Sequence, residues 1–219
     1  MIIDNTWVIN YIKRYGNIIV IPREATIIKK QAFDYQKIEQ ECGEGNIKLK
    51  IEFEEESQLE TIESMAFFAE IVNTIVLPKN IKKIEEFAFY GFPISVQLDE
   101  DSSIEVCDND FVFWGQKEVK VPTNLRKLEF SGIIEKLEKI TIPTNSKLED
   151  MIITNGVDKI ILPNGQELLS TDEKSIRVLR LRENKVMVLY LKGEELYYEI
   201  CNIDEQTILQ SRKYVCITK

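Results

Sequence analysis

The chain has 219 residues, 44% of them hydrophobic and 30% charged, which is too apolar for disorder and suits one large domain or a domain with an appendage. A net charge of −9 argues against nucleic-acid and anionic-membrane partners, because phosphate binding needs clustered Lys and Arg and the longest basic runs are pairs such as Lys29-Lys30 and Lys82-Lys83. The absence of histidine removes Ser-His-Asp and Cys-His nucleophile activation and the commonest transition-metal ligand.

The first element in chain order is DNTWVINYIKRYG, which places Asp4 or Asn5 as N-cap and Trp7, Val8, Tyr11 and Ile12 at helical spacing. It predicts an N-terminal helical cap over 1–16 with the aromatic stripe used as core. No basic region precedes a continuous apolar core there, and no apolar run is long enough to cross a bilayer. As given, the chain reads as cytoplasmic, without membrane insertion; it would be cell-surface or secreted if a precursor was trimmed.

From Asn17 the chain repeats. Strand-like dipeptides recur at Ile21-Pro22, Leu77-Pro78, Val121-Pro122, Ile142-Pro143 and Leu162-Pro163, and IEFEE at 51 and VQLDE at 96 fill the gaps. Downstream of most lies an apolar pair five positions apart: Ile28/Phe33, Ile62/Phe67, Ile84/Phe89, Val106/Phe111, Leu128/Ile133 and Leu148/Ile153. The second members are separated by 34, 22, 22, 22 and 20 residues. The long step contains YQKIEQECGEGN, 35–46, read as an inserted surface loop.

A unit of this length with one short strand cannot bury its own apolar face, so it must stack on its neighbours. The expected fold is a repeat solenoid of about seven repeats over 17–168. In TIVLP, alternation sends Ile75 and Leu77 inward and Thr74 and Val76 outward. The proline, having no N–H, ends pairing, and the phenylalanine of AF fills the interior from the opposite wall beside the small Ala32, Ala66 or Ala88.

LPKNIKKIEEFAF (77–89) and its variant FEEESQLETIESMAF (53–67) resemble the BspA-like class of leucine-rich repeats, over roughly residues 18–165. The resemblance implies a right-handed superhelix with a parallel β-sheet on its concave face, used to bind proteins, often on microbial cell exteriors. Lys29, Glu63 and Glu85 stand where glycine is common in that pattern, the usual cysteine after AF is absent, and repeats from 128 onward lose the phenylalanine.

Beyond ILPNGQELLSTDE the pattern changes. SIRVLRLRENKVMVLYLKGEELYYEICN alternates, with turns at Glu183-Asn184 and near Gly193, and reads as an antiparallel meander ending in KYVCIT. Residues 169–219 are a β-rich C-terminal cap or a small separate domain. Cys42, Cys107, Cys201 and Cys216 form no CxxC pair and read as free thiols, Cys201 with Cys216 being the pair to test.

No phosphate-cradling glycine motif occurs. EFEEES at 52–57 and DEDSS at 99–103, with Asp108 and Asp110, are the remaining chemistry, as calcium ligands or a glycosidase pair. They lack a defining spacing, and Glu54, Glu55, Glu56, Asp99, Glu100 and Asp101 fall on turns where solvated residues belong.

The outward strand positions form two columns: Val20, Glu52, Val76, Gln97, Lys120, Thr141 and Ile161, and Ile18, Lys50, Thr74, Ser95, Glu118, Lys139 and Lys159. Glu52, Val76, Gln97, Lys120, Thr141, Lys50, Thr74, Glu118 and Lys139 are the candidate partner-binding residues. Tyr35, Tyr90, Phe92 and Trp114 form an alternative patch. The leading expectation is a non-enzymatic module that binds a protein partner, without cofactor or metal. A microbial surface adhesion or structural element, and a carbohydrate or calcium binder acting through the acidic turns, are the alternatives.

Overall fold

The computed structural model describes residues 1–43, 47–89, 95–107, 115–130, 137–153, 157–163, 165, 167–169, 176–181, 185–192, 195–202 and 208–214. They pack as two compact units: Met1–Ile104 with Gly115 and Gln116, and Glu105–Cys107 with the described residues from Lys117 onward.

In the first unit, β1 (Ile2–Ile3) leads into α1 (Asn5–Tyr15), the helix its sequence predicts. Asp4 is the N-cap, its carboxylate accepting from the Trp7 N–H at 2.8 Å. Gly16 ends the helix at φ 89°, where a side chain would be strained, and its N–H donates to the Ile12 carbonyl. The first repeat then supplies β2 (Ile18–Ile21) and β3 (Ile27–Ile28). After α2 (Tyr35–Cys42) come β4 (Lys50–Phe53) and β5 (Thr61–Ile62), β6 (Thr74–Leu77) and β7 (Lys83–Ile84), and finally β8 (Ser95–Leu98).

The helix α2 corrects the expected surface loop at 35–46. Asp34 caps it by accepting from the Lys37 N–H, Ile38 is buried, and α2 packs against α1. One apolar anchor and a cap suffice to fix two turns of helix that periodicity alone does not reveal.

Each repeat contributes one strand to each of two walls. The second wall is the parallel sheet β1-β3-β5-β7, with Ile3, Ile28, Ile62 and Ile84 in register and buried. The first wall holds the parallel pairs β2-β4 and β6-β8. Between β4 and β6 the side chain of Asn73 takes over the ladder: its Oδ1 accepts from the Ile51 N–H at 2.9 Å and its Nδ2 donates to the Ile51 carbonyl at 2.8 Å. Phe33, Phe67 and Phe89 fill the space between the walls, fully buried and stacked one on the next.

The second unit repeats the scheme with β9 (Val106–Cys107), β10 (Glu118–Lys120), β11 (Lys127–Phe130), β12 (Leu137–Thr141), β13 (Asp150–Ile153) and β14 (Val157–Ile161). β10-β12-β14 and β9-β11-β13 are its two parallel ladders. Both end in an antiparallel strand: β15 (Glu167–Leu169) joins β14, and β16 (Ile176–Leu181) joins β13. From β16 the expected meander continues through β17 (Lys185–Lys192), β18 (Glu195–Asn202) and β19 (Ile208–Tyr214). Its last strand starts at Ile208, five residues before the predicted KYVCIT; the two predicted turns, the STDEKS linker and Cys216 lie outside the described residues.

Both units thus have the architecture of a repeat solenoid, and all seven predicted strands of the first wall are present. The pairing pattern corrects the second-wall phase in two repeats. Val106 is 51% exposed, and its neighbour Cys107 lies in register with Leu128, because cysteine buries as a small hydrophobe. Met151, rather than Leu148, shares that register. Phe111 and Ile133 lie outside the described residues.

Leu148 belongs instead to a buried turn that recurs three times. Ser57, Ser102 and Ser146 are buried, and each hydroxyl accepts from the N–H two residues on, that of Leu59, Ile104 or Leu148. The Ser102 and Ser146 N–H groups donate to the carbonyls three residues back, Asp99 and Pro143, as the Ile81 N–H does to Pro78, so the hydroxyl adds a second acceptor to the turn. The repeated spacing Ser-x-Leu/Ile was the available sequence signal.

Candidate functional site

The period-two alternation of the first wall sends one set of side chains out of the core, and parallel pairing sets them side by side. In the first unit Val20 faces Glu52 and Ile18 faces Lys50, while Val76 faces Gln97 and Thr74 faces Ser95. In the second, Glu118, Lys139 and Lys159 form one row, and Lys120, Thr141 and Ile161 the next. Within each sheet the columns expected from the sequence are therefore in register.

Their exposure differs. Lys50, Gln97, Glu118 and Lys120 are exposed, Glu52, Thr74, Thr141 and Lys139 half-buried. Val76, 55% exposed, is an apolar side chain in the middle of its strand. Ser95 departs from the pattern: it is 5% exposed, and its hydroxyl has no hydrogen-bond partner among the described residues. Alternation fails at this first residue of β8, where Ser95 and Val96 are both buried.

Several of these charges are already neutralised. Lys50 Nζ pairs with Glu52 at 2.6 Å, Lys159 with Glu167 at 2.8 Å, and Lys139 with Glu118 across the ladder. A partner engaging them must compete with an existing ion pair. Val76 lies beside Gln97 in one unit and Lys120 beside Thr141 in the other.

Helix α1 guards the open edge of the first wall. The Val20 N–H, on the edge strand β2, donates to the Tyr11 hydroxyl at 3.3 Å. Val8 is the buried residue of the helix, whereas Trp7, Tyr11 and Ile12 are half-buried; Trp7, Tyr11 and Tyr15 contact one another in series. The stripe is thus only partly core. In the alternative patch, Tyr35 is half-buried at the start of α2 and donates its hydroxyl to Glu39; Tyr90, Phe92 and Trp114 lie outside the described residues.

The acidic turns stay dispersed. Glu54 accepts from the Arg23 N–H of the preceding repeat at 2.9 Å, and Asp99 accepts from the Asp101 N–H within its own turn at 2.8 Å. Among the described residues no three carboxylate or thiol groups converge to hold a metal ion. Asp108 and Asp110 lie outside them. Cys42 is a free thiol, and burial pushes it up from its ordinary value. No described helix is long and apolar enough to cross a membrane.

Two carboxylates that sequence reasoning passed over do converge on the backbone. Glu63 follows Ile62 of β5; its Oε1 pairs with Lys29 Nζ at 2.7 Å and its Oε2 accepts from the Lys30 N–H at 2.9 Å. Glu85 follows Ile84 of β7; its Oε1 pairs with Lys83 Nζ at 2.7 Å and its Oε2 accepts from the Ser64 N–H at 3.0 Å. Hydrogen bonds from Lys29 and from the Lys30 amide hold Glu63 below the usual carboxylate range, and those from Lys83 and the Ser64 amide do the same for Glu85. The signal was their place one residue after an inward isoleucine, in successive repeats.

A sequence model of the BspA type leucine-rich repeat region matches residues 14–90 and 36–160, in six copies. No curated protein and no solved structure matches the chain.

Proposed function

The chain belongs to the BspA-type leucine-rich repeat family, a family of repeat modules of the protein-interaction kind, and from that premise we propose that it binds a protein partner without catalysis through the outward face of its first wall. The observation that carries this reading is the in-register placement of Val76 beside Gln97 and of Lys120 beside Thr141. A parallel ladder presents such side chains on a rigid frame, so little conformational entropy is lost when a partner docks.

Thr74 extends the first patch, and the ion-paired Lys50, Glu52, Glu118 and Lys139 form a polar rim that contributes specificity more than affinity. In this reading the ladder face is the concave one, residues 1–16 and 169–219 serve as caps, and 17–168 is the binding array. The pairing of β16 onto β13 supports a cap over a separate domain, since the meander extends a sheet of the repeats instead of forming its own.

The test places a photo-cross-linking residue at position 76 or 120 and captures partners from the cells that make the protein. A partner trapped at these positions, and released from unlabelled chains by Gln97→Ala or Lys120→Glu with the melting temperature unchanged, supports the assignment. Unchanged affinity in both variants, with stability intact, moves the interface elsewhere.

A further inference from the structure

We propose that Glu63 and Glu85 make a proton-operated joint between the first three repeats: ionised, each carboxylate pins a turn of the preceding repeat, and protonated, it lets that turn open while the stack beneath stays folded. Each carboxylate divides its oxygens between an ammonium, Lys29 for Glu63 and Lys83 for Glu85, and a main-chain N–H of the repeat before it. Only the anion serves both: a protonated carboxyl gives up acceptor capacity and removes the ammonium's counter-charge.

The turns held in this way are strained. Lys30 and Ser64 immediately precede Gln31 at φ 55° and Met65 at φ 52°, left-handed conformations that are unfavourable for a side-chain-bearing residue. When the acceptor is lost, that strain favours opening. Lys29, Lys83 and Glu85 face Glu63, and Lys83, Lys29 and Glu63 face Glu85; the hydrogen bonds from the paired lysine and the backbone amide, with the lysine charges, hold both carboxyls below their ordinary value. Beneath the turns, Ile28, Ile62 and Ile84 remain paired in their own sheet, so opening need not propagate. The third repeat has the same turn at Phe87, φ 57°, and in sequence Asp108 follows Cys107 as Glu85 follows Ile84.

Site-resolved amide hydrogen exchange on the full chain between pH 3 and 7, corrected for intrinsic amide chemistry, tests the joint. Protection at Lys30 and Ser64 should fall about ten-fold or more in acid while Ile62 and Phe67 keep theirs. Glu85→Gln should flatten the Ser64 profile, while Lys30 keeps its acid response, displaced toward lower pH by the loss of the neighbouring negative charge. The joint is refuted if Ser64 keeps its acid response in that variant, or if all amides lose protection together. Should Glu85→Gln fail to fold, carboxyl-carbon titration of the unmodified chain decides. Lys30 and Ser64 amides that change in step with Glu63 and Glu85 support the joint, and amides that stay constant through that titration overturn it.

Discussion

The rings of Phe67 and Phe89 lie 5.0 Å apart and within 9° of parallel, and Phe33 continues the stack at 4.8 Å and 14°. These spacings match the distance of about 4.8 Å between neighbouring strands, so the rings ride on the ladder in the way its backbone does. Phe67→Ala removes the middle member from a fully buried site and should cost about 3–5 kcal/mol in denaturant unfolding. A double-mutant cycle with Phe89 should show coupling of about 0.5–1.5 kcal/mol beyond the lost area.

Asn73 replaces the ladder between β4 and β6, satisfying both the N–H and the carbonyl of Ile51. Asn73→Ala leaves both without that partner and should destabilise the chain by about 1–3 kcal/mol in the same assay. Asn73→Asp keeps the acceptor and loses the donors, so it should recover part of that loss.

Gln31 occupies a left-handed turn at φ 55°. Glycine enters that conformation freely, whereas a β-branched side chain does not. Gln31→Gly should hold stability within about 1 kcal/mol of the unmodified chain, and Gln31→Val should lower it by about 1–2 kcal/mol, read as a shift in unfolding midpoint.

The lowered titration of Glu63 and Glu85 makes stability depend on pH with a definite sign. A carboxyl held below its unfolded value contributes stability that is complete above the ordinary carboxylate range, about pH 4.3, and is lost as pH falls through the lower native value. The gap in melting temperature between the unmodified chain and a Glu63→Gln, Glu85→Gln double variant should therefore be constant near neutrality and close in acid. A gap that widens in acid would contradict the assignment.

Much of the array was legible in the sequence, because strand alternation and a recurring Pro and Ala-Phe spacing are local consequences of burying one face repeatedly. Thr74 and Val76 could be assigned outward, Ile75 and Leu77 inward, and the partners in each column named, from spacing alone. The phase slipped at Val106 and Cys107, where the more apolar residue in solution terms is the one facing water. It slipped because inward and outward are set by the strand's registry with Leu128, which no single repeat contains.

The candidate face divides along the same line. Composition and period determined that the chain is a stack of repeats, that its wall strands present columns of residues, and that histidine-dependent chemistry is absent. Tertiary structure alone decided that Lys139 is spent on Glu118, that Ser95 is buried, that 35–42 coils into a helix, and that Glu63 and Glu85 reach back to the previous turn. Those outcomes depend on which atoms of neighbouring repeats come within hydrogen-bonding or contact distance, and repeat spacing fixes which units are neighbours without fixing where a flexible side chain finds its partner.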